Sequence, residues 1–320
     1  MTSTDTLVIE TEALTKAYGP SEVVKAINLK VPRHSIFGFL GPNGAGKSTT
    51  MGMLIGAIRP TRGSAQVFGL DIQKDSDRIR ERVGFLTQDT QFYPDLTPRQ
   101  TLQFCASFFP PLRGERLADR IQATLELVGL AGKEDRQVKG FSGGEKQRLG
   151  LAQAYVHRPE LIILDEPAAA LDPMGRMDVL QVMQKLRQQA TIFYSTHILD
   201  DVQRVSDHVA ILHHGELITQ GPLDQVMAQG EGIVYVLTTR GDVAPVQRAL
   251  AGQSWVSSLT PKASQGQIQW EIGVLDPALA EAHLLRMVLA DPATTVVAFG
   301  RKTYDLESIF LDLVGDPPHG

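Results

Sequence analysis

Gly41-Pro42-Asn43-Gly44-Ala45-Gly46-Lys47-Ser48-Thr49 fits the pattern G-x-x-x-x-G-K-[ST], and its neighbours supply the structural context that pattern needs. Before it, Ser35-Ile36-Phe37-Gly38-Phe39-Leu40 reads as a short buried strand; after it, Thr50 to Ile58 is apolar and continues as a helix. Such a loop captures anions. Glycines let successive backbone N–H groups turn inward around phosphate oxygens, at the positive end of a helix. Lys47 adds a point charge for the β- and γ-phosphates of a nucleotide, and the Ser48 hydroxyl is a candidate ligand for Mg²⁺.

The segments around this loop define the rest of the layout. Val23 to Val31, Ser64 to Phe68 and Val83 to Leu86 read as strands. From about 89 to 150 the character turns helical. Thr97-Pro98-Arg99-Gln100 is a helix start, with Thr97 as N-cap, Pro98 in the first turn and Gln100 closing a capping box. Leu117, Ile121, Leu125 and Val128 recur as one apolar helix face. Strands return at Leu161 to Leu164 and Thr191 to Tyr194, with an amphipathic segment, Met177 to Gln189, between them. This is an α/β sheet interrupted by a helical insertion. After about residue 230 a second unit begins, with strands at Ile233 to Leu237, Ile268 to Val274 and Thr294 to Phe299, and helices at Val243 to Ala251 and Pro277 to Leu289. These three strands and two helices suggest a small α+β module of the split βαβ, ferredoxin-like kind, whose full order, β-α-β-β-α-β, has one strand more than is legible here. A last helical stripe, Leu306, Ile309, Phe310, Leu313 and Val314, precedes a frayed tail at 316–320. The expected domains are therefore 7–230, with its helical part at about 89–150, and 231–315.

Bulk composition narrows the class. The 320 residues suffice for two domains, and 42% hydrophobic with 21% charged content is that of a soluble globular protein. A net charge of -5 argues against broad nucleic-acid binding. Cys105 is the one cysteine, so it forms neither an internal disulfide nor a multi-cysteine zinc site, and it reads as a buried thiol. Met1 to Thr6 has no apolar signal region, and no run of about eighteen apolar residues suggests a membrane span. His213-His214-Gly215 reads as a hairpin turn, because no ligand set of the usual metal spacing surrounds it.

Two further motifs carry chemistry. Leu161-Ile162-Ile163-Leu164-Asp165-Glu166-Pro167 is an apolar strand ending in two carboxylates. A strand buried on both faces delivers Asp165 to the sheet's C-terminal edge, where it can hold Mg²⁺ through water while Glu166 reaches an attacking water as general base. Phe141-Ser142-Gly143-Gly144-Glu145-Lys146-Gln147-Arg148 is a second glycine turn feeding a helix, Glu145 to Val156, whose N-terminus seeks an anion.

The phosphate loop, FSGGEKQR and LIILDEP, in that order, resemble the nucleotide-binding subunit of an ATP-binding cassette (ABC) transporter over residues 7 to about 225. The resemblance implies a phosphate-loop NTPase core that binds and hydrolyses ATP with Mg²⁺. It gives roles to matching positions: Tyr18 stacks on adenine, Gln88 senses Mg²⁺ and the γ-phosphate, Asp172 lies in the D-loop at a dimer seam, and His197 contacts the γ-phosphate. Ser142, Gly143, Gly144 and Gln147 act across a homodimer, or a pair with another cassette, on the partner's ATP, and Ser48, Gln88 and Asp165 hold Mg²⁺. A separate membrane permease is implied, docking near Gln88 to Pro111, with the subunit peripheral on the cytoplasmic face of the membrane. Phe92-Tyr93-Pro94-Asp95-Leu96-Thr97 and the ending Asp305-Leu306-Glu307-Ser308-Ile309-Phe310 are similar to bacterial exporter ATPases of the drug- and antibiotic-resistance type.

The sequence departs from the family at Ala168, Ala169 and Ala170, where polar residues usually occur, leaving Asp165, Glu166 and Asp172 in place. Two other readings lack supporting features. A soluble ABC ATPase of DNA repair or translation would carry coiled coils, zinc insertions or a second cassette, and a small-molecule kinase would lack the serine-glycine turn and His197.

Overall fold

The computed structural model describes residues 7–110, 116–228, 233–264, 266–292, 294–302 and 306–314. The polar start Met1 to Thr6, Pro111, the 230/231 boundary, Asp305 and the tail at 316–320 lie outside the described residues. The chain divides into two compact units: one runs up to Val226 and also takes in the described residues from Asp312 on, and the other is Met227–Leu311.

The first unit is built on a six-stranded sheet in the order Glu216–Pro222, His208–His213, Ile36–Leu40, Thr191–Thr196, Leu161–Leu164, Val83–Leu86. All neighbours run parallel except the first pair, which is the hairpin expected at His213-His214-Gly215. The inner strands are continuous apolar runs because both faces are covered: every residue of Ile36–Leu40 and Leu161–Leu164 is buried. Phe193 packs on Phe37 and Phe39 with centroids 5.8 and 5.3 Å apart.

An antiparallel sheet in the order Ser21–Ile27, Leu7–Tyr18, Arg62–Val67, Leu70–Asp71 completes this unit's strands, with Lys30–Pro32 also on Leu7–Tyr18. The single strand expected over Val23 to Val31 is thus two. Asn28 sits at the break and its Oδ1 accepts from the Ala13 N–H at 2.8 Å, so the chain leaves one part of its partner and rejoins another. The helix after the phosphate loop, Lys47–Leu54, also stops earlier than Ile58. Gly56, at φ 72°, turns the chain out of the helix.

Helices Pro98–Ala106, Leu117–Leu127 and Gly143–Tyr155 form the insertion. The first carries the expected capping box between Thr97 and Gln100 with Pro98 behind it. In the second, Ile121 and Leu125 are buried, as is Val128 just beyond its end, whereas Leu117 is exposed. Helix Gly143–Tyr155 approaches strand Val83–Leu86 so closely that a Cβ at Gly84 would run into the Ala154 carbonyl oxygen.

The second unit is a four-stranded antiparallel sheet in the order Val256–Ser264, Gln267–Val274, Ile233–Arg240, Thr295–Arg301, with helices Val243–Leu250 and Pro277–Val288. Its chain order is β-α-β-β-α-β, and a last helix, Leu306–Val314, follows. Strand Val256–Ser264 announces itself poorly in sequence, since it holds Ser257, Ser258, Pro261 and Lys262. It is an edge strand, where proline is tolerated. Buried Trp270 centres this unit's core and donates its indole N–H to the Thr239 Oγ1 at 3.0 Å.

Candidate active site

Parallel topology brings four strand ends to one edge. Ile36–Leu40 runs into the phosphate loop, Thr191–Thr196 into His197, Leu161–Leu164 into Asp165-Glu166, and Val83–Leu86 into Thr87-Gln88. The Gly41 N–H donates to the Thr196 carbonyl at 3.2 Å, tying the loop's start to its neighbour strand. Helix Lys47–Leu54 has Gly46, at φ 105°, as its N-cap, and no side chain accepts its first N–H groups. Those donors are available to an anion. Two glycines are needed sterically: a Cβ at Gly41 would run into the Leu212 carbonyl oxygen, and one at Gly46 would meet the Val23 carbonyl oxygen at 2.6 Å.

A cavity of about 350 Å³ opens here, lined by Asn43, Gly44, Gly46, Lys47, Ser48 and Thr49 of the loop together with Val23, Gln88 and Glu166. Lys47 is buried, and its ammonium donates to the Gly41 and Pro42 carbonyls at 2.6 and 3.1 Å. It also faces Glu166 Oε1 at 3.2 Å. The other oxygen of Glu166 lies 2.9 Å from His197 Nδ1. Both oxygens of this carboxylate are therefore engaged by basic groups. Glu166 itself has φ 51°, a left-handed conformation that costs a non-glycine residue about 1–2 kcal/mol. Asp165, also buried, receives a hydrogen bond from the Ser195 hydroxyl at 2.5 Å. Val23 and Ser195 were not distinguishable as site residues in the sequence; the one signal for Ser195 is its place two residues before His197, on a buried strand that also carries Thr191, Tyr194 and Thr196.

The remaining expected site residues do not line this cavity. Ala45 is buried within the loop, and its N–H donates to the Pro42 carbonyl at 3.2 Å. Tyr18 ends strand Leu7–Tyr18 half exposed, with the Lys16 ammonium 4.8 Å from its ring centroid. Ser142 and Gly143 are exposed at the N-terminus of helix Gly143–Tyr155, with Gln147 half-buried on its second turn. There Ser142 and Glu145 form a capping box. The Lys133 ammonium at 2.5 Å and the Ser142 N–H hold the Glu145 carboxyl below its ordinary range. Asp172 is exposed and caps helix Pro173–Leu186 by accepting from the Gly175 N–H at 3.1 Å. Before it, Ala168 is buried and Ala170 has φ 59°.

The donor set suits a hard divalent cation. Ser48 and Gln88 line the cavity, and Asp165 stands at the adjacent strand end. Among the described residues no group of three or more His, Cys, Asp or Glu could cage a metal unaided. Mg²⁺ is typically held by one or two protein oxygens plus phosphates and water, which is the kind of donor set present.

Fold and cavity together define a phosphate-loop nucleoside triphosphatase. The ABC transporter family profile matches residues 24–169. An uncharacterized ABC transporter ATP-binding protein of Bacillus subtilis, YxlF, is 36% identical over 310 residues, spanning 96% of this chain and 99% of its own. The bacitracin transport ATP-binding protein BcrA of Bacillus licheniformis is 41% identical over 221 residues, 68% of this chain and 71% of that protein. A solved structure of an ATP-binding subunit of an ABC transporter matches with a TM-score of 0.62 at 29% identity, over 69% of this chain and 92% of that one. The chain belongs to the ABC transporter family, as an ATP-binding subunit that hydrolyses ATP. Among the described residues no helix is long and apolar enough to cross a membrane.

Proposed function

We propose that the protein is the motor of an exporter: two copies pair head to tail around two ATP molecules and drive a separate membrane permease from its cytoplasmic face. The observation that carries this reading is a division of labour within one chain. Lys47, Ser48, Gln88 and Glu166 share one cavity, whereas in the serine-glycine turn Ser142 and Gly143 stand exposed, Gly144 is half-buried, and none of the three lines it. In the paired form that turn, with Gln147, closes the γ-phosphate side of the other copy's cavity, and Asp172 lies at the seam. Tyr18 stacks on adenine.

Within each pocket, Gly41 to Thr49 wrap the phosphates and Lys47 moves its charge from Glu166 to the incoming γ-phosphate. Glu166, so released, takes the proton of the attacking water, and His197 orients the γ-phosphate. Ser48, Gln88 and Asp165 would hold Mg²⁺, which when bound draws charge from the phosphoryl oxygens. Loss of the cleaved phosphate removes the ligand common to both halves, so binding closes the pair and hydrolysis opens it.

Permease docking is supported by an exposed aromatic run. Tyr93, Phe104 and Phe108 are 68, 51 and 70% exposed, with successive edge-on ring contacts at 6.4 and 5.1 Å. Apolar surface of this kind marks interaction sites. Export is favoured by the bacitracin transport relative, and the unit from residue 231 to 315 serves assembly. A soluble ATPase of DNA repair or translation is not favoured, because the relatives are transport proteins by name.

Pairing is tested by sedimentation with a non-hydrolysable ATP analogue and Mg²⁺. The native chain becomes a dimer, whereas Ser142→Arg, at an exposed position, binds the analogue and stays a monomer. A Ser142→Arg chain that dimerises as well as the native one refutes the shared-site reading.

A further inference from the structure

Ser195 is completely buried on strand Thr191–Thr196, next to strand Leu161–Leu164. Its hydroxyl donates to Asp165 Oδ1 at 2.5 Å and accepts from the Glu166 backbone N–H at 2.8 Å. One hydroxyl thus joins the two adjacent acidic residues at the sheet edge. The donated bond falls in the short range of O–H···O⁻ hydrogen bonds, which are stronger than neutral ones. A hydroxyl has a single proton. With that proton committed to Asp165 Oδ1, Oδ2 is the oxygen of that carboxylate not taken by Ser195.

The accepted bond acts on the other side. Glu166 has φ 51°, and a non-glycine residue in that conformation needs its surroundings to hold it there. The Ser195 oxygen anchors the N–H at the start of that turn, and the turn sets where the Glu166 carboxylate points, toward Lys47 at 3.2 Å and His197 at 2.9 Å. Removing the hydroxyl leaves a buried N–H and a buried carboxylate oxygen without this partner and frees both acids to rotate.

We infer that Ser195 is a positioning residue for ATP hydrolysis, fixing through one hydroxyl both the orientation of the Asp165 carboxylate toward the metal and the backbone turn that aims Glu166. The inference rests on the proposed roles of Asp165 and Glu166, and it adds a residue that touches neither nucleotide nor metal. Groups that orient the ligands of a metal from behind typically change affinity or activity by about 10- to 100-fold when removed.

The test compares full-length native protein with Ser195→Ala and Ser195→Thr. The readouts are kcat and KM for ATP, Mn²⁺ affinity of the ATP complex by electron paramagnetic resonance, and the melting temperature. Ser195→Ala is expected to lower kcat and to weaken Mn²⁺ binding, each by about 10- to 100-fold, with KM for ATP within about threefold of native. Ser195→Thr, which keeps the hydroxyl, recovers Mn²⁺ affinity. If Ser195→Ala is not recovered folded, Ser195→Cys keeps the volume with weak hydrogen bonding, and the same losses are expected. Native kcat and Mn²⁺ affinity in a folded Ser195→Ala or Ser195→Cys chain overturn the inference, as does a KM that rises in step with the fall in kcat. Asp165→Asn, measured alongside, separates the two levels: if it keeps native Mn²⁺ affinity, the reading of Asp165 fails first.

Discussion

Replacing Glu166 with Gln perturbs an ion pair that is almost wholly buried: the Lys47 and Glu166 side chains are 5 and 4% exposed, with Nζ and Oε1 3.2 Å apart. Breaking a buried pair from one side costs about 3–5 kcal/mol when the surviving charge is left alone. Lys47 is not left alone. The Gly41 and Pro42 carbonyls at 2.6 and 3.1 Å keep hold of the ammonium, and the new amide oxygen is still a dipolar acceptor. The ligand-free Glu166→Gln protein should therefore lose about 1–3 kcal/mol. At about 2–4 °C per kcal/mol for a unit of this size, its melting temperature falls by roughly 2–12 °C. Saturating ATP should erase most of that deficit, because the γ-phosphate takes the carboxylate's place beside Lys47. Turnover, in contrast, should fall on the order of 10²- to 10⁴-fold with ATP still bound. Melting curves with and without nucleotide, beside a phosphate-release assay, read both effects. Full ATPase activity in Glu166→Gln refutes the base assignment. An unchanged melting temperature in the ligand-free protein refutes the energetic weight given to the pair.

Two further predictions follow from other parts of the molecule. Burial pushes the His157 imidazole down to about 4; the ring stacks on Phe109 at 3.6 Å, and Nε2 lies 3.2 Å from the Val83 carbonyl oxygen. The unfolded chain takes up this proton near pH 6.5 and the native chain only near 4, so stability drops as pH falls between them, by about 3 kcal/mol. Denaturant titrations at pH 7 and pH 4 should show a smaller difference in His157→Asn than in the native protein; equal differences contradict the assignment. Phe104→Ser with Phe108→Ser should leave the melting temperature of the isolated subunit within about 1 °C, since both rings are exposed, yet abolish co-purification with a co-expressed permease. Retained co-purification moves the docking surface elsewhere.

Local patterns announced most of the nucleotide-binding unit, and the reasons are visible in single residues. Leu161-Ile162-Ile163-Leu164 reads as a strand because a parallel strand covered on both sides has no wet face to interrupt it. Thr97, Pro98 and Gln100 read as a helix start because their capping bonds are local. What escaped depends on distant partners. The break at Asn28 exists because its side chain meets Ala13, fifteen residues earlier. Strand Val256–Ser264 is polar and contains a proline, and it is a strand because Gln267–Val274 offers it an edge. At the site, the phosphate loop and the two acids were legible as motifs. Ser195 was not, since its role arises only when strands thirty residues apart lie side by side. Nor does any pattern reveal that Lys47 rests against Glu166.

The turn at Ser142 has a consequence for how such a helix end can be used without being damaged. Its oxygen already accepts from the Glu145 N–H at 3.2 Å, while the Glu145 carboxylate accepts from the Ser142 N–H at 2.7 Å and from the Lys133 ammonium. Accepting occupies a lone pair and leaves the hydroxyl's own hydrogen uncommitted to the cap. An arriving oxyanion can take that hydrogen with every internal bond of the turn intact, and departure returns the helix to the same state. Repeated docking and release at this spot would therefore need no refolding between cycles.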